Sequence, residues 1–329
     1  MTFRNPISQH PDPWLLHHDG YYYSTGTSHD HIAVTKAASI ADLAGAPASI
    51  VWSDTEPDRS AMLWAPELHL LDGPDGRRWY LYYTASDADD HLHHRMHVLE
   101  GAGDDPCGPF QYKARLNTDP ANEHYAIDGG PLVLPTGALY LFWAGTPGHV
   151  LYVSRMSSPW QLVGERVQLP ASGFGCPDIR EGPVCIRRNG RVFLVYSACD
   201  TGTPDYRMGM LSADETDDLL DVDSWHQHPE PVFQSRADHG VFGPGHNGFF
   251  TSPDGTEDWF VYHAKTTDQY TYDGRTARAQ RLAWHADGRP DFGIPLPLTT
   301  EIPLPSGDPG PSASGAARRD RQDRQESAS

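Results

Sequence analysis

The chain has 329 residues, 38% of them hydrophobic and 21% charged, and its formal net charge is −19. This acidic balance argues against nucleic acids and anionic membrane surfaces as partners, because both repel a negatively charged protein. No apolar run approaches the roughly 18 residues that a membrane-spanning helix needs. We therefore expect a protein that binds neither nucleic acid nor membrane.

The N-terminal residues, MTFRNPISQHPDPW, lack a basic segment followed by an apolar one. No secretory signal is therefore visible, and the sequence predicts a cytoplasmic location, with secretion by another route left open. The first ten residues are expected to form an edge strand that helps to close the fold. Asp12 follows between two prolines, which fix the backbone on both sides of its side chain.

Glycine turns followed by aromatic strands recur along the whole chain. The turn residues are Gly20, Gly76, Gly137, Gly190 and Gly255, at spacings of about 53 to 65 residues that suggest a repeat architecture. Each unit holds about four strand-like segments with almost no helical periodicity, which is typical of a propeller blade. We predict an all-β fold, a five-bladed β-propeller over residues 1–305, with a generic β-sandwich as the alternative.

The fourth unit carries the clearest hairpin signal. Asn189-Gly190 lies between two apolar runs, Val184–Ile186 and Val192–Ser197, and this pattern predicts a two-residue β-hairpin turn. The second run is apolar at successive positions, so both of its faces should be buried. Glu181 stands just ahead of this hairpin, where a buried carboxylate needs a partner or a function.

Each unit opens with a polar or aromatic residue beside Gly or Pro, just before its first strand. The openings are PDPW around Asp12, LWAPELH around Trp64, IDGGP around Asp128, REGP around Glu181 and GPGHNG around His246. The innermost strands of a propeller line its central channel, so these openings should converge at one end. Repulsion between like charges makes the pKa values of neighbouring carboxyl groups differ, so that one group stays protonated while another is ionised. Glycoside hydrolysis needs such a pair of an acid and a base.

Two further groups of side chains allow a functional or a structural interpretation. Trp14, Trp64 and Trp143 suit stacking against a sugar ring, and they equally suit packing between blades. The histidine cluster that suggests a metal site consists of His91, His93, His94 and His97. Because the acidic run SDADD precedes it, a solvated loop is the favoured interpretation.

The four cysteines form no C-x-x-C pair and lie among strand and loop residues. They are interpreted as small apolar side chains, and the absence of a visible signal favours a reducing compartment. A disulfide between Cys176 and Cys185, or between Cys185 and Cys199, stays open at this point.

The C-terminal residues 306–329 contain no apolar side chain larger than Ala. Such a segment buries too little surface to offset the entropy lost on ordering, so it is predicted to be a disordered tail. The propeller should therefore end near residues 303–305.

The motifs of all five units, in this order, resemble glycoside hydrolase family 43, and within it the arabinan-acting α-L-arabinofuranosidases. The resemblance covers the chain from Asn5 to about Pro297 and includes the closing stretch RTARAQRLAWHADGRPDFG. It implies an inverting hydrolase that releases terminal α-L-arabinofuranose without a covalent intermediate. The implied partner is an arabinose-containing oligosaccharide or polysaccharide.

Carried over by position, the resemblance implies roles for three carboxylates. Asp12 matches the general base that activates water, and Glu181 matches the general acid that protonates the departing oxygen. Asp128 matches the third carboxylate, which raises the pKa of the acid and positions it. No cofactor is required by this mechanism.

The resemblance also assigns binding residues around the carboxylates. His246 matches the channel histidine, near which calcium or another cation, or a water molecule, is a possibility. Arg275 matches the substrate-binding arginine, with Arg278 as a rival because the alignment there is loose. Trp64 is the candidate for the wall that stacks on the sugar.

Three alternatives remain at this point. A β-xylosidase or endo-arabinanase of the same family would differ only in loops around the pocket. A retaining fructosidase on a related five-bladed fold requires a different N-terminal motif, which PDPW does not resemble. A propeller that binds sugar without catalysis would not need all three carboxylates.

Overall fold

The computed structural model describes residues 1–121 and 123–313, whose regular secondary structure is almost entirely β-strand. The strands are β1 (Thr2–Phe3), β2 (Trp14–His18), β3 (Tyr21–Thr25), β4 (Ile32–Ala37), β5 (Ala48–Trp52), β6 (Ala61–Gly73), β7 (Gly76–Ser86), β8 (Arg95–Gly101), β9 (Phe110–Arg115), β10 (Ala126–Val133), β11 (Leu139–Gly145), β12 (Val150–Ser158), β13 (Gln161–Gln168), β14 (Arg180–Arg188), β15 (Arg191–Ala198), β16 (Arg207–Asp214), β17 (His226–Gln227), β18 (Phe242–Thr251), β19 (Asp258–Lys265), β20 (Thr276–Trp284), β21 (Pro290–Asp291) and β22 (Ile302–Pro303). They form five antiparallel four-stranded sheets in chain order: β2–β5, β6–β9, β10–β13, β14–β17 and β18–β21. These sheets are five blades, so the predicted all-β propeller is confirmed.

Short 3-10 turns lie between several strands of the described ranges. These turns span Ile40–Gly45, His91–His93, Val222–Ser224 and Ala237–His239. None of the helices that the structure describes is long and apolar enough to cross a membrane.

An apolar cluster fills the space between each pair of neighbouring blades. Strand β15 shows how one strand serves two clusters. Val192 and Leu194 pack toward blade three, whereas Phe193 and Val195 pack toward blade five. Because successive side chains of a strand point to opposite faces, the unbroken apolar run buries both faces, as predicted.

The chain ends close the ring of blades. Strand β1 pairs with β22, and the side-chain amide of Asn5 donates to the carbonyl of Ala279 at 3.0 Å and accepts from its N–H at 2.8 Å. The N–H of Ile7 donates to the carbonyl of Ala277 at 2.8 Å. The first residues thus bind β20 of the last blade before the chain enters the first blade, which joins the two.

The predicted hairpin of the fourth unit is present and is longer than expected. Asn189 and Gly190 have φ angles of 53° and 76°, and this left-handed pair matches the tight turn that Asn-Gly favours. The strands extend to Arg180 and Ala198, which pair with each other. Glu181 therefore lies inside β14 rather than ahead of it.

Residues 306–313, the first part of the predicted disordered tail, contact the propeller. The N–H of Ile40 donates to Oδ2 of Asp308 at 3.0 Å, and the N–H of Ser312 donates to Oδ2 of Asp42 at 2.8 Å. Residues 306–313 are thus held by polar contacts, which the prediction from apolar burial did not consider. Residues 314–329 of the predicted tail lie outside the described residues.

Candidate active site

The innermost strands of blades two to five each contain a β-bulge. The pairing register shifts once in β10 and in β14 and twice in β6 and in β18, and every shift contains a residue with a positive φ angle. These residues include Ala65 (φ 44°), Asp128 (φ 54°), Gly182 (φ 55°) and His246 (φ 50°), and Asp12 (φ 54°) has the same conformation just before β2. A bulge re-aims side chains, and a left-handed backbone is uncommon for residues other than Gly. Only Gly182 among these five residues is a glycine, so the other openings adopt the left-handed backbone with Asp, Ala or His.

Asp12 is surrounded by hydrogen-bond donors and positive charge. Its Oδ2 accepts from the Thr27 hydroxyl at 2.6 Å, and its Oδ1 lies 3.3 Å from Nη1 of Arg275 and 3.4 Å from Nδ1 of His246. Burial raises the pKa of the Asp12 carboxyl, but the charges of His246 and Arg275 lower it by more, to well below its ordinary value. Asp12 is therefore ionised at neutral pH.

Asp128 and Glu181 lie on the neighbouring inner strands β10 and β14. The N–H of Gly182, next to Glu181, donates to Oδ2 of Asp128 at 3.2 Å. Oε1 of Glu181 accepts from the Tyr206 hydroxyl at 2.8 Å, and its Oε2 lies 3.4 Å from Nε2 of His149. The two carboxyl groups are thus close enough to influence each other's ionisation.

The electrostatics of this pair differ from the prediction, because the raised pKa belongs to Asp128 and not to Glu181. Burial, together with the negative charges of Glu181 and Asp12, raises the pKa of Asp128 to about 7. Burial also raises the pKa of Glu181, but the interactions with His149 and Tyr206 lower it by more. Below about pH 7 the pair therefore holds a proton, and its surroundings favour placing that proton on Asp128.

His246 lies between two of the carboxylates. Its Nδ1 is 3.4 Å from Oδ1 of Asp12 and 3.9 Å from Oδ2 of Asp128. Burial lowers the pKa of His246, but these carboxylates raise it by more, which favours a charged imidazolium. Within residues 1–121 and 123–313, no group of three or more His, Cys, Asp or Glu is arranged to hold a metal ion.

Trp64 is the candidate aromatic residue that the structure leaves accessible. It is partly exposed, its ring stacks on His94 with centroids 3.8 Å apart, and its Nε1 donates to Nδ1 of His29 at 3.1 Å. Trp14 and Trp143 are buried between blades. Of the three tryptophans, Trp64 alone is placed to contact a ligand.

The structure also separates the two candidate arginines. Arg275 contacts Asp12, as described above, and its Nε donates to the carbonyl of Tyr272 at 2.9 Å. Arg278 is fully buried in β20, where its Nη2 donates to the carbonyl of Ala264 at 3.3 Å. Arg275 therefore lies with the carboxylates, and Arg278 lies within the blade.

The sequence interpretation missed the side chains that surround the carboxylates. Thr27, His149 and Tyr206 make the contacts given above, and Nδ1 of His263 accepts from the N–H of Asp12 at 3.2 Å. The first three lie in loops between the second and third strands of their blades. In an antiparallel meander, the loop between the second and third strands lies at the end of the sheet where the first strand begins. Polar residues in these loops were therefore the sequence signal that could have identified the missed side chains.

The histidine cluster of blade two is only partly a solvated loop. His91 and His93 are exposed, as predicted. His94 and His97 are buried, and Nε2 of His94 is 2.9 Å from the carbonyl of Met62. The prediction is wrong for these two because β8 begins at Arg95, so that His97 lies inside a strand and is buried by its neighbours.

The family described as glycosyl hydrolases family 43 matches residues 3–290 of the chain. The chain belongs to glycoside hydrolase family 43. This confirms the predicted family. Its fold is also similar to a solved structure, the α-L-arabinofuranosidase of Lactobacillus brevis, which superimposes with a TM-score of 0.82 at 33% identity, covering 91% of this chain and 98% of that one.

Two bacterial proteins show the similarity along the sequence. The chain is 35% identical to an extracellular exo-α-(1→5)-L-arabinofuranosidase of Streptomyces avermitilis, covering 90% of this chain and 64% of that protein. It is 36% identical to a protein of the same name from Streptomyces chartreusis, covering 80% of this chain and 82% of that protein. This family 43 chain therefore spans about two thirds of the length of the first relative.

The cysteines of this family 43 chain pair differently from the predicted alternatives. Cys176 and Cys199 form a disulfide with Cα atoms 5.1 Å apart, while Cys107 and Cys185 are free. The register of β14 and β15 explains the pairing. Cys185 lies opposite Leu194, in the middle of the hairpin, whereas the N–H of Cys199 donates to the carbonyl of Ile179 at 3.3 Å, three residues from Cys176.

The predicted cytoplasmic location is wrong. The relatives from S. avermitilis and S. chartreusis are both named as extracellular enzymes, which points to secretion. The disulfide agrees, because disulfides form and persist in oxidising compartments. The prediction failed because it rested only on the absence of a pattern.

Proposed function

We propose that this family 43 chain is a secreted, inverting exo-α-L-arabinofuranosidase that releases terminal arabinofuranose from arabinan or arabino-oligosaccharides. The observation that carries the proposal is the division of charge among its carboxylates. One of them, Asp12, is held ionised by adjacent cations, whereas Asp128 and Glu181 together retain a proton. Its relatives with exo-arabinofuranosidase names support the choice of sugar.

In this proposal Asp12 is the general base. An ionised carboxylate accepts a proton from the water that attacks the anomeric carbon. The Thr27 hydroxyl and Arg275 orient its two oxygens, and these contacts keep the carboxylate in one position. Arg275 also offers a donor for the hydroxyl groups of the sugar, while the Trp64 face is placed to pack against the sugar ring.

Glu181 is the general acid in this proposal, and Asp128 supplies its proton. A neutral sugar that displaces water from Glu181 favours the protonated form, since loss of water disfavours charge. The proton that the pair holds then passes to Glu181 and on to the departing glycosidic oxygen. Because the base accepts a proton from water and the acid donates one, the reaction needs no cofactor and forms no covalent intermediate.

The decisive test of this function is the stereochemistry of the first product. Arabinan oligosaccharides are incubated with the enzyme in an NMR tube, and we expect the first arabinose released to have the inverted, β, configuration. Parallel incubation with xylo-oligosaccharides provides the control for β-xylosidase activity. Initial release of α-arabinose would contradict the inverting mechanism, and release of xylose alone would contradict the choice of substrate.

The pKa values predict how the rate depends on pH. Asp128 ionises with a pKa of about 7 in the free enzyme, and above this pH the pair loses its proton. We therefore expect kcat/KM on arabino-oligosaccharides to fall as the pH rises through about 7, whereas the lowered pKa of Asp12 keeps the base ionised at mildly acidic pH. A kcat/KM profile that stays flat to pH 9 would show that no proton of this pair is needed.

A further inference from the structure

Two loops at the pocket end of blades four and five are fastened together by a buried lysine. One loop follows β15 and the other joins β19 to β20. Lys265 is fully buried, and its Nζ donates to the carbonyl of Gly202 in the first loop at 2.5 Å and to that of Thr271 in the second at 3.2 Å. The N–H of Thr271 also donates to the carbonyl of Gly202 at 2.9 Å. The second loop is therefore held in a defined position.

This fastened loop presents two tyrosine rings to solvent. Tyr270 is 62% exposed and Tyr272 is 52% exposed. Their hydroxyl groups lie 2.8 Å apart and both donate to Oδ2 of Asp200 at 3.2 Å, while their ring planes meet at 70° with centroids 5.6 Å apart. Hydrogen bonds thus fix the polar ends of both rings. The Arg275 guanidinium lies over the Tyr272 ring, 6.0 Å from its centroid, and more than half of the surface of each tyrosine stays exposed.

The tyrosines are connected directly to the candidate active site. Nε of Arg275 donates to the carbonyl of Tyr272, and Nη1 of the same arginine contacts Asp12. On the other side, Asp200 follows Cys199, whose N–H donates to Ile179, two residues before Glu181. The pair of rings therefore stands at the rim, between the blade of the acid and the loop that carries Arg275.

We propose that Tyr270 and Tyr272 bind the arabinofuranosyl unit beyond the scissile bond, an inference that rests on the proposed function. The C–H face of a furanose is apolar and packs on an aromatic ring, as apolar groups do on tyrosine faces generally. Rings that are already ordered lose little conformational entropy when a ligand binds. They therefore favour an oligosaccharide, which contacts them, over a substrate with a small aglycone. The tyrosines thus determine preference for oligosaccharides and take no part in the chemistry.

The test compares two substrates that share the same bond type but differ beyond it. Methyl α-L-arabinofuranoside has no sugar beyond the scissile bond, whereas α-1,5-linked arabinotriose has two, and the leaving group of each substrate is an alkyl alcohol. The double variant Tyr270→Ala/Tyr272→Ala should lose roughly fivefold to twentyfold in kcat/KM on arabinotriose, mainly through KM, and less than about twofold on the methyl glycoside. An unchanged ratio of the two values would overturn the proposal.

Two control variants make the result specific. Tyr21→Ala removes another exposed tyrosine, which lies on blade one at the end away from the pocket. This variant should change kcat/KM on neither substrate. Tyr270→Phe/Tyr272→Phe keeps both rings but removes their hydrogen bonds to Asp200, so it should retain a larger share of kcat/KM on arabinotriose than the Ala variant. If the Phe variant lost as much as the Ala variant, the ring faces would not be the binding surface. If the wild-type enzyme released arabinose from neither substrate, the proposed function would fail, and this inference with it.

Discussion

Asp12→Asn is expected to remove nearly all activity while the propeller stays folded. The amide has the size of the carboxylate, and Asn tolerates the left-handed backbone that Asp12 adopts, with its φ angle of 54°. It cannot accept the proton of the attacking water, and general-base catalysis typically contributes about 10² to 10⁴ in rate. The measurement is kcat on arabinotriose and on an aryl arabinofuranoside, with the melting temperature recorded by circular dichroism.

The chain offers a matched control for this substitution. Asp19 is exposed in the turn after β2 on the same blade and also has a positive φ angle, of 46°. Asp19→Asn should therefore reproduce the same side-chain change at a left-handed backbone position outside the pocket, and its kcat should equal that of the wild type. Retention of more than about a tenth of kcat by Asp12→Asn would assign the base to another residue.

Glu181→Gln is expected to lose activity only where the leaving group needs a proton. A sugar hydroxyl is a poor leaving group, so kcat on arabinotriose should fall by about 10² to 10⁴, the typical contribution of a general acid. A dinitrophenolate departs without a proton, so hydrolysis of 2,4-dinitrophenyl α-L-arabinofuranoside should be far less affected. The basic limb of the pH profile should also disappear for wild-type enzyme on that activated substrate.

The difference between the two variants separates the acid from the base. Asp12→Asn should slow both substrates alike, because water attacks in each case. Glu215→Gln is the control for Glu181→Gln, since Glu215 lies beside the turn at the far end of blade four and its Oε1 is 2.7 Å from Nε of Arg187. Equal losses on both substrates for Glu181→Gln would refute its role as acid, and Asp128 would be the next candidate.

The blades themselves were predictable because their signals are local. A turn such as Asn189-Gly190 and an apolar run such as that of β15 depend on neighbours in sequence. A unit that occurs five times along the chain leaves few folds other than a propeller. The openings around Asp12, Asp128 and Glu181 were also visible, because a bulge needs Gly, Pro or a residue that tolerates positive φ. Their convergence then followed from propeller geometry.

The tertiary structure alone decided the charges and partners at the site. The pKa of Asp128 is raised, and that of Glu181 is not, because His149 and Tyr206 reach Glu181 from different loops. Contacts between loops that are far apart in sequence leave no periodic or local pattern. The sequence therefore determined which residues gather at the channel mouth, and three-dimensional packing decided which of them hold protons, which cysteines pair and which aromatic rings face the ligand.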